Sequence, residues 1–414
     1  MSEVKFAAQI GLDWADKKHD YFLSDSANQT TEHGEFKHHP ASIDKWARDL
    51  QHRFNNEAVA ICLELKSGPI VAGLKKYDFM TLFFVPPQAL ANYRKAFYSS
   101  GAKDDPTDAY LQFDYLNKHR SKLRKVTTER EDTRIIQQLT FHRRAFVEQR
   151  KELTNKISAS LKEYYPLVLQ LFTNLNTDVF CDFMTTWPDL SKLQNTRRTT
   201  LEKFFKTNHC NRPGLINERL QTIAEAVPLT NDTAIINPCQ RYTLGLVRQL
   251  RTLRETIKEY DDEITARFSQ HEDSDIFASF PGAGPTMAPR LLAAFGSDRE
   301  RFDSADEVNR TTGVAPVFEG SGDYRWLHWR FKCSKFLRQT FVEWAGQSIK
   351  QSFWARTFYD EKRGQGKSHQ GTLRALAFKW IRIMYRCWKE HSKYDESTYL
   401  FALKRREEKL KKVA

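Results

Sequence analysis

The first hundred residues set the tightest constraint on this chain. Short apolar runs and helix-spaced segments follow one another there, and two of the runs end on acids. Phe6 to Leu12 is apolar and stops at Asp13. Tyr21-Phe22-Leu23 and the segment around Gly34-Glu35-Phe36 give two more strands of a meander, as short β-prone runs between turn formers predict. Ala41 to Phe54 sets Ile43, Trp46, Ala47 and Leu50 at helical spacing, and Ala58 to Leu63 is a continuous apolar strand that closes on Glu64. Gly68 to Tyr77 follows as a short helix, Phe79 to Val85 as a strand and Pro87 to Phe97 as a helix. The predicted order is β-β-β-α-β-α-β-α.

The next stretch, Lys103-Asp104-Asp105-Pro106-Thr107-Asp108-Ala109, is acidic. A helix starting near Asp105 points Asp105 and Asp108 along one face, where two carboxylates can share a divalent cation. The plain structural alternative is a capping residue with an acidic first turn. The element order is that of an RNase H-like or RuvC-like nuclease fold, in which Asp13 and Glu64 come from neighbouring strands and Asp105 and Asp108 from a helix beside them. Singly, Asp13 and Glu64 are ordinary strand-end acids. Together, four crowded carboxylates repel unless cations neutralise them, so the set implies metal.

At 414 residues the chain can build two or three domains with their own cores. Its net charge of +13 points to a polyanionic partner, nucleic acid before a membrane surface. Cys62, Cys181, Cys210, Cys239, Cys333 and Cys387 stand far apart, with no CxxC pair. They read as reduced thiols in a cytoplasmic protein, which excludes a disulfide framework and a cysteine zinc site. No run reaches transmembrane length, and Asp13 falls where a signal peptide is apolar.

From Arg134 the pattern turns to long helices. Ile135, Leu139, Phe146, Leu153, Ile157 and Leu161 form one stripe, and Leu246, Leu250, Leu253, Ile257, Tyr260 and Ile264 alternate steps of four and three. Such a seam predicts an antiparallel arm or a dimerising coil, with a helical insertion at about 166–238. In the insertion Arg197, Arg198 and Lys203 read as a solvated basic face. Phe280-Pro-Gly-Ala-Gly-Pro285 leads into a helix at Met287 to Phe295. Its exposed amides suit a phosphate, as in helix-hairpin-helix modules, and a plain helix connection has the same composition. Glu319-Gly-Ser-Gly322 reads as an open loop. Beyond it Arg325, Trp326, Trp329, Arg330, Lys332, Lys335 and Arg338 interleave cations with aromatics, suited either to nucleic acid or to an amphipathic helix with its tryptophans inward. Arg374 to Trp388 is a last amphipathic helix.

In this order the pieces resemble the DEDD transposases of the insertion-sequence-110 family, the bridge-RNA-guided serine recombinases. The matching stretches are Ile10-Gly-Leu-Asp13, Leu63-Glu64 with Gly68, Val85-Pro-Pro-Gln88, Lys103 to Ala109, Phe280 to Gly284, and Gly313-Val-Ala-Pro316 leading to Ser321-Gly322. The resemblance implies an RNase H-like domain over 1–125, a helical coiled-coil arm with its insertion over 126–270, and a transposase domain over 271–414. It further implies that Asp13, Glu64, Asp105 and Asp108 bind Mg²⁺ or Mn²⁺ and that Ser321 is the nucleophile. The implied partners are donor and target DNA, a noncoding guide RNA, and further copies of the chain as a dimer assembling to a tetramer on nucleic acid. No membrane is involved, and the expected place is the cytoplasm of a prokaryote, at the nucleoid. The chain departs from the family pattern at Asp104, where threonine is common, in having a single serine at 321, and in its length. Two other functions fit the same residues. One is a junction resolvase with water as nucleophile, indifferent to Ser321; the other is a non-catalytic nucleic-acid-binding protein.

Overall fold

The computed structural model describes residues 5–97, 105–208, 213–322 and 324–401. Lys103, Asp104, Cys210 and the tail from Lys404 lie outside the described residues. The chain divides into two compact units, 1–128 and 129–414.

The first unit is a mixed α/β layer structure. Its strands are β1 (Ala8–Trp14), β2 (Lys18–Asp25), β3 (Thr31–Lys37), β4 (Val59–Leu63), β5 (Met80–Phe84) and β6 (Arg124–Lys125). They form one sheet in the order β3-β2-β1-β4-β5-β6. β1 runs parallel to β4, and β4 to β5; the other neighbours are antiparallel. The helices are α1 (Pro40–Arg53), α2 (Pro69–Leu74), α3 (Pro87–Phe97) and α4 (Asp105–His119).

Alternation along β1 decides which helix covers which face. Ala8, Ile10 and Leu12 are fully buried in one core with Ile43, Trp46, Ala47 and Leu50 of α1 and Ile70, Val71 and Leu74 of α2. Each isoleucine, leucine or valine among them contributes about 1.5–3 kcal/mol when taken fully out of water, so tertiary burial rather than helix propensity holds α1 in place. The opposite face carries Ala60, Cys62, Phe83 and Val85 against Leu90 of α3 and Leu111 and Leu116 of α4. β4 is central and buried throughout, which is why its sequence is an unbroken apolar run rather than an alternating one.

In the second unit α5 (Glu131–Tyr164) leads through α6 (Leu167–Leu171), α7 (Asp178–Thr186), α8 (Leu190–Gln194), α9 (Arg198–Thr207) and α10 (Pro213–Glu225) to α11 (Thr233–Gln270). α5 and α11 run antiparallel, as the pairs Thr133–His271, Arg143–Asp261 and Ser160–Thr243 show. Leu246, Leu250, Leu253, Ile257 and Ile264 are buried along α11; on α5 Ile136 is fully buried and Ile135 is half-buried. The helices between them close over an aromatic core of Phe180, Phe183, Trp187 and Phe205.

The chain continues through α12 (Ser274–Ala278), α13 (Met287–Phe295), α14 (Ala305–Thr311), the hairpin of β7 (Val317–Ser321) and β8 (Tyr324–His328), α15 (Lys335–Ser348), α16 (Phe353–Gly364) and α17 (His369–Lys389). Phe295, Phe341, Trp344, Trp380 and Trp388 fill the core there. The five described cysteines are free. Among the described residues no helix is long and apolar enough to cross a membrane.

Candidate functional site

β1 and β4 carry two of the predicted acids to the same level. Gly11 pairs with Cys62 in the parallel register, and two residues further along each chain come Asp13, still in β1, and Glu64, just past the end of β4. Residues two apart on a strand share a face. Asp13 and Glu64 therefore leave adjacent strand ends toward the side that α4 covers.

Gly11 determines how closely that helix approaches. A Cβ built on it would lie 2.0 Å from the Ala109 carbonyl oxygen and 2.4 Å from the Phe113 nitrogen, both main-chain atoms of α4. Only glycine admits such contact. It brings the turn that carries Asp108 over the strand that carries Asp13.

Asp108 is buried and ion-paired with Arg94 of α3. The same two helices are tied again where the Tyr93 hydroxyl donates to Asp114 at 2.6 Å, an acid that Lys118 also reaches. Asp105 is the first residue of α4, and its side chain lies outside the described residues. Among the described residues, no group of three or more His, Cys, Asp or Glu side chains stands close enough together to hold a metal ion. Backbone register thus aligns the strand-end acids, while the Asp108 carboxylate is engaged by a guanidinium.

The register also extends the acidic row. Asp13 faces Asp20 across β2, and Asp20 faces Glu35 across β3. Directly opposed residues share a face, where like charges destabilise the sheet. Lys18 offsets this, with its Nζ 2.7 Å from Glu35 and 3.5 Å from the buried Asp20. The Glu35 hydrogen bond, first among its partners, raises the Lys18 pKa above the ordinary lysine value. On the opposite face His19 is fully buried and 2.9 Å from His38. Burial first, and the His38 charge second, lower its pKa to about 4, so it is neutral at physiological pH.

Ser321 ends β7 and is exposed. The expected open loop at 319–322 is instead one strand of a hairpin, with Ser321 paired to Tyr324 and Gly322 turning at φ 59°. Tyr324, directly opposite Ser321, and Trp326, opposite Glu319, stand on the Ser321 face, 79% and 49% exposed. Trp329 lies beneath two guanidiniums, Arg374 at 3.6 Å and Arg338 at 4.8 Å.

The Pro-Gly turn before α13 is seated internally. Gly282 donates its N–H to Gln351 at 2.7 Å, and the amides of Ala283, Met287 and Ala288 are donated to carbonyls of the same turn.

Comparison with known proteins adds the decisive observation. Residues 10–166 match the model of the DEDD transposases of IS110, and residues 274–360 match the transposase model of the IS116/IS110/IS902 family. The chain belongs to the IS110 transposase family. Over 406 residues, 96% of this chain and 97% of the relative, it is 26% identical to the mini-circle putative transposase for IS117 of Streptomyces coelicolor. It is 24% identical over 331 residues, 79% of this chain and 81% of the relative, to a 44.8 kDa protein of insertion element IS116 of Streptomyces clavuligerus. Over 155 residues, 37% of this chain and 39% of the relative, it is 32% identical to a 42 kDa protein of insertion element IS900 of Mycobacterium paratuberculosis.

Sequence reasoning missed several polar residues that lie beside these acids. Asp20 and Glu35 join the acids only through strand register. Arg94 and Gln112 join them only because α3 and α4 pack over the strand ends. The spacing from Asp108 to Gln112, one helical turn, was the single local signal available for the last of these.

Proposed function

We propose that this transposase breaks and rejoins DNA through a phosphoserine intermediate formed on Ser321. The first unit is then an RNase H-like domain whose Asp13, Glu64, Asp105 and Asp108 hold Mg²⁺ or Mn²⁺. The observation that carries this proposal is the parallel register that levels Asp13 with Glu64 beneath α4. When bound, the cation supplies Lewis-acid stabilisation of charge on the scissile phosphate.

In the forward step the Ser321 Oγ attacks phosphorus, the P–O bond to the sugar breaks, and the serine proton ends on the departing sugar oxygen. Attack by the hydroxyl of a new strand reverses the exchange and restores the serine. The phosphodiester bond energy is kept in the covalent link, so no nucleotide is consumed. An exposed position at a hairpin tip leaves Ser321 accessible to a strand. The acids belong to the first unit and Ser321 to the second.

DNA is the substrate, and the net charge of +13 suits it. Target choice is delegated to a noncoding guide RNA, in keeping with a sequence that shows no helix-turn-helix or zinc-finger reader. The working assembly is a dimer that pairs into a tetramer on nucleic acid, at the nucleoid.

The test is to trap a protein–DNA adduct under denaturing conditions with wild-type protein and with Ser321→Ala. The variant should lose the adduct, and an adduct of wild-type yield removes Ser321 as nucleophile. Sequencing of co-purified RNA should return one discrete species; a random population counts against guidance.

A further inference from the structure

Three arginines gather on Trp329, just past the end of β8. The guanidinium of Arg374, from α17, lies 3.6 Å from the ring centre, and that of Arg338, from α15, lies 4.8 Å from it. Arg330 follows Trp329 in the chain. Its Nε donates to the Ala315 carbonyl at 3.3 Å, and its own carbonyl accepts from Arg338 Nη1 at 3.0 Å. All three arginines are half-buried.

The charge of this group is not balanced from within. Elsewhere in the second unit, buried and half-buried arginines are matched by acids: Arg143 by Asp261, Arg290 by Glu343 and Arg299 by Asp273. Among the described residues no carboxylate pairs with Arg330, Arg338 or Arg374. Glu319 of the hairpin is already engaged, by His328 at 2.7 Å and by the Trp326 indole N–H at 3.1 Å. Burial first, and the Arg338 charge second, lower the Arg374 pKa below the ordinary arginine value, yet a guanidinium stays charged in proteins. Charges taken partly out of water need a counter-charge. The ring and the two carbonyls hold the guanidiniums in place without supplying one.

An anion supplies it, and planar guanidinium forks match phosphate oxygens. The position in the fold selects the anion. His328, next to Trp329, opposes Val317, which is four strand positions before Ser321. At about 3.3 Å per position the base of the hairpin lies about 13 Å from the serine, roughly four steps along a B-form strand. We propose that Arg330, Arg338 and Arg374 form a phosphate site that holds the DNA strand a few nucleotides from the phosphodiester attacked by Ser321. The proposal rests on the reading of DNA as substrate and Ser321 as nucleophile.

The test measures binding of a labelled DNA duplex and a labelled RNA duplex to the full chain by fluorescence anisotropy across a series of salt concentrations. The proteins are wild type, Arg374→Gln, Arg374→Lys and, as control on the same helix, Arg386→Gln, whose arginine is paired with Glu390. One phosphate contact contributes about 0.9 to the slope of log affinity against log salt. Arg374→Gln should weaken DNA binding and lower that slope by about 0.9, while Arg374→Lys and Arg386→Gln keep the wild-type slope. Adduct yield at sub-saturating DNA should fall with Arg374→Gln as well.

An unchanged slope in folded Arg374→Gln overturns the proposal. So does an equal fall in Arg374→Lys, which would mark a packing role, and so does a fall seen with RNA alone. Weak binding by Arg374→Gln beside a wild-type adduct yield would place the site away from the reacting strand and overturn it too. Should Arg374→Gln fail to fold, Arg338→Gln decides on the same slope. Wild type without salt-dependent DNA binding refutes the substrate reading itself, whereas a steep wild-type slope that Arg374→Gln leaves unchanged refutes only the phosphate site. The nucleophile is read separately, from the Ser321→Ala adduct.

Discussion

Gly11→Ala should be among the most informative single changes in the first unit, because it adds one methyl group to the contact between strand and helix. The new carbon would sit 2.0 Å from the Ala109 oxygen and 2.4 Å from the Phe113 nitrogen. Neither atom belongs to a side chain that could rotate away. Restoring ordinary contact requires α4 to withdraw from β1 by about 1.4 Å, measured from 2.0 Å to the 3.4 Å at which normal van der Waals contact begins.

Two costs follow from that movement. Overpacking of this kind costs about 1–3 kcal/mol. The buried Gln112 amide, whose nitrogen donates to the carbonyl oxygens of Leu12 at 2.7 Å and Cys62 at 2.9 Å, moves off with the helix as well, adding about 1–3 kcal/mol for buried donors drawn away from their acceptors. The expected loss is thus about 2–6 kcal/mol in urea unfolding of the variant, with the slope unchanged. Function should suffer more than stability, since Asp108 travels with the helix, and displacement by 1 Å can cost about a hundredfold in rate. Recombination should therefore fall by at least that factor under conditions where the variant is folded. A Gly11→Ala protein with wild-type unfolding midpoint and wild-type activity would refute the claim that close approach of α4 organises the site.

Other perturbations test separate parts of the account. Arg94→Leu strands the buried Asp108 carboxylate and should cost about 3–5 kcal/mol in EDTA, less with Arg94→Lys; equal unfolding midpoints for wild type and both variants would dismiss the ion pair as structural support. Gly282→Ala meets both a positive φ of 72° and a Cβ 2.7 Å from the Gln347 carbonyl carbon, so a loss of about 1–3 kcal/mol is expected in thermal unfolding, and none would show that the turn before α13 yields freely. His19 titrates near 4 when folded against about 6.5 unfolded, so between those values the unfolded chain binds a proton that the folded one does not. Its contribution is whole above about pH 6.5 and is lost, to a total of about 3 kcal/mol, as pH falls toward 4. Chemical denaturation of wild type and His19→Phe across that window should show a shallower pH slope for the variant, and parallel slopes would contradict the assignment. Ser321→Ala removes an exposed hydroxyl and should move stability by no more than about 0.5 kcal/mol, so a large shift in its melting curve would point to a structural role.

The element order of the first unit was legible because each element there is organised by burial. β1 alternates, β4 is apolar throughout, and α1 repeats every three or four residues. Asp13 and Glu64 were legible as strand-end acids for the same reason. What joins them was not, since Arg94, Gln112 and the opposed Asp20 and Glu35 acquire their relation to Asp13 only through helix packing and strand register. The hairpin at 317–328 was hidden for a different cause. Its faces carry Phe318, Leu327, Tyr324 and Trp326 toward solvent, so no alternation of apolar and polar residues marked it as a strand pair. In the Pro-Gly turn, glycines suggested free amides, but the partner of Gly282 is Gln351, far along the chain.

The most direct test of the central claim is anomalous diffraction from crystals of the full chain soaked in Mn²⁺. A peak between the Asp13 and Glu64 carboxylates, on the side covered by α4 and within coordinating distance of both, is the expected result. A Mn²⁺ peak found only elsewhere, with those two carboxylates bare at full soak, would contradict it.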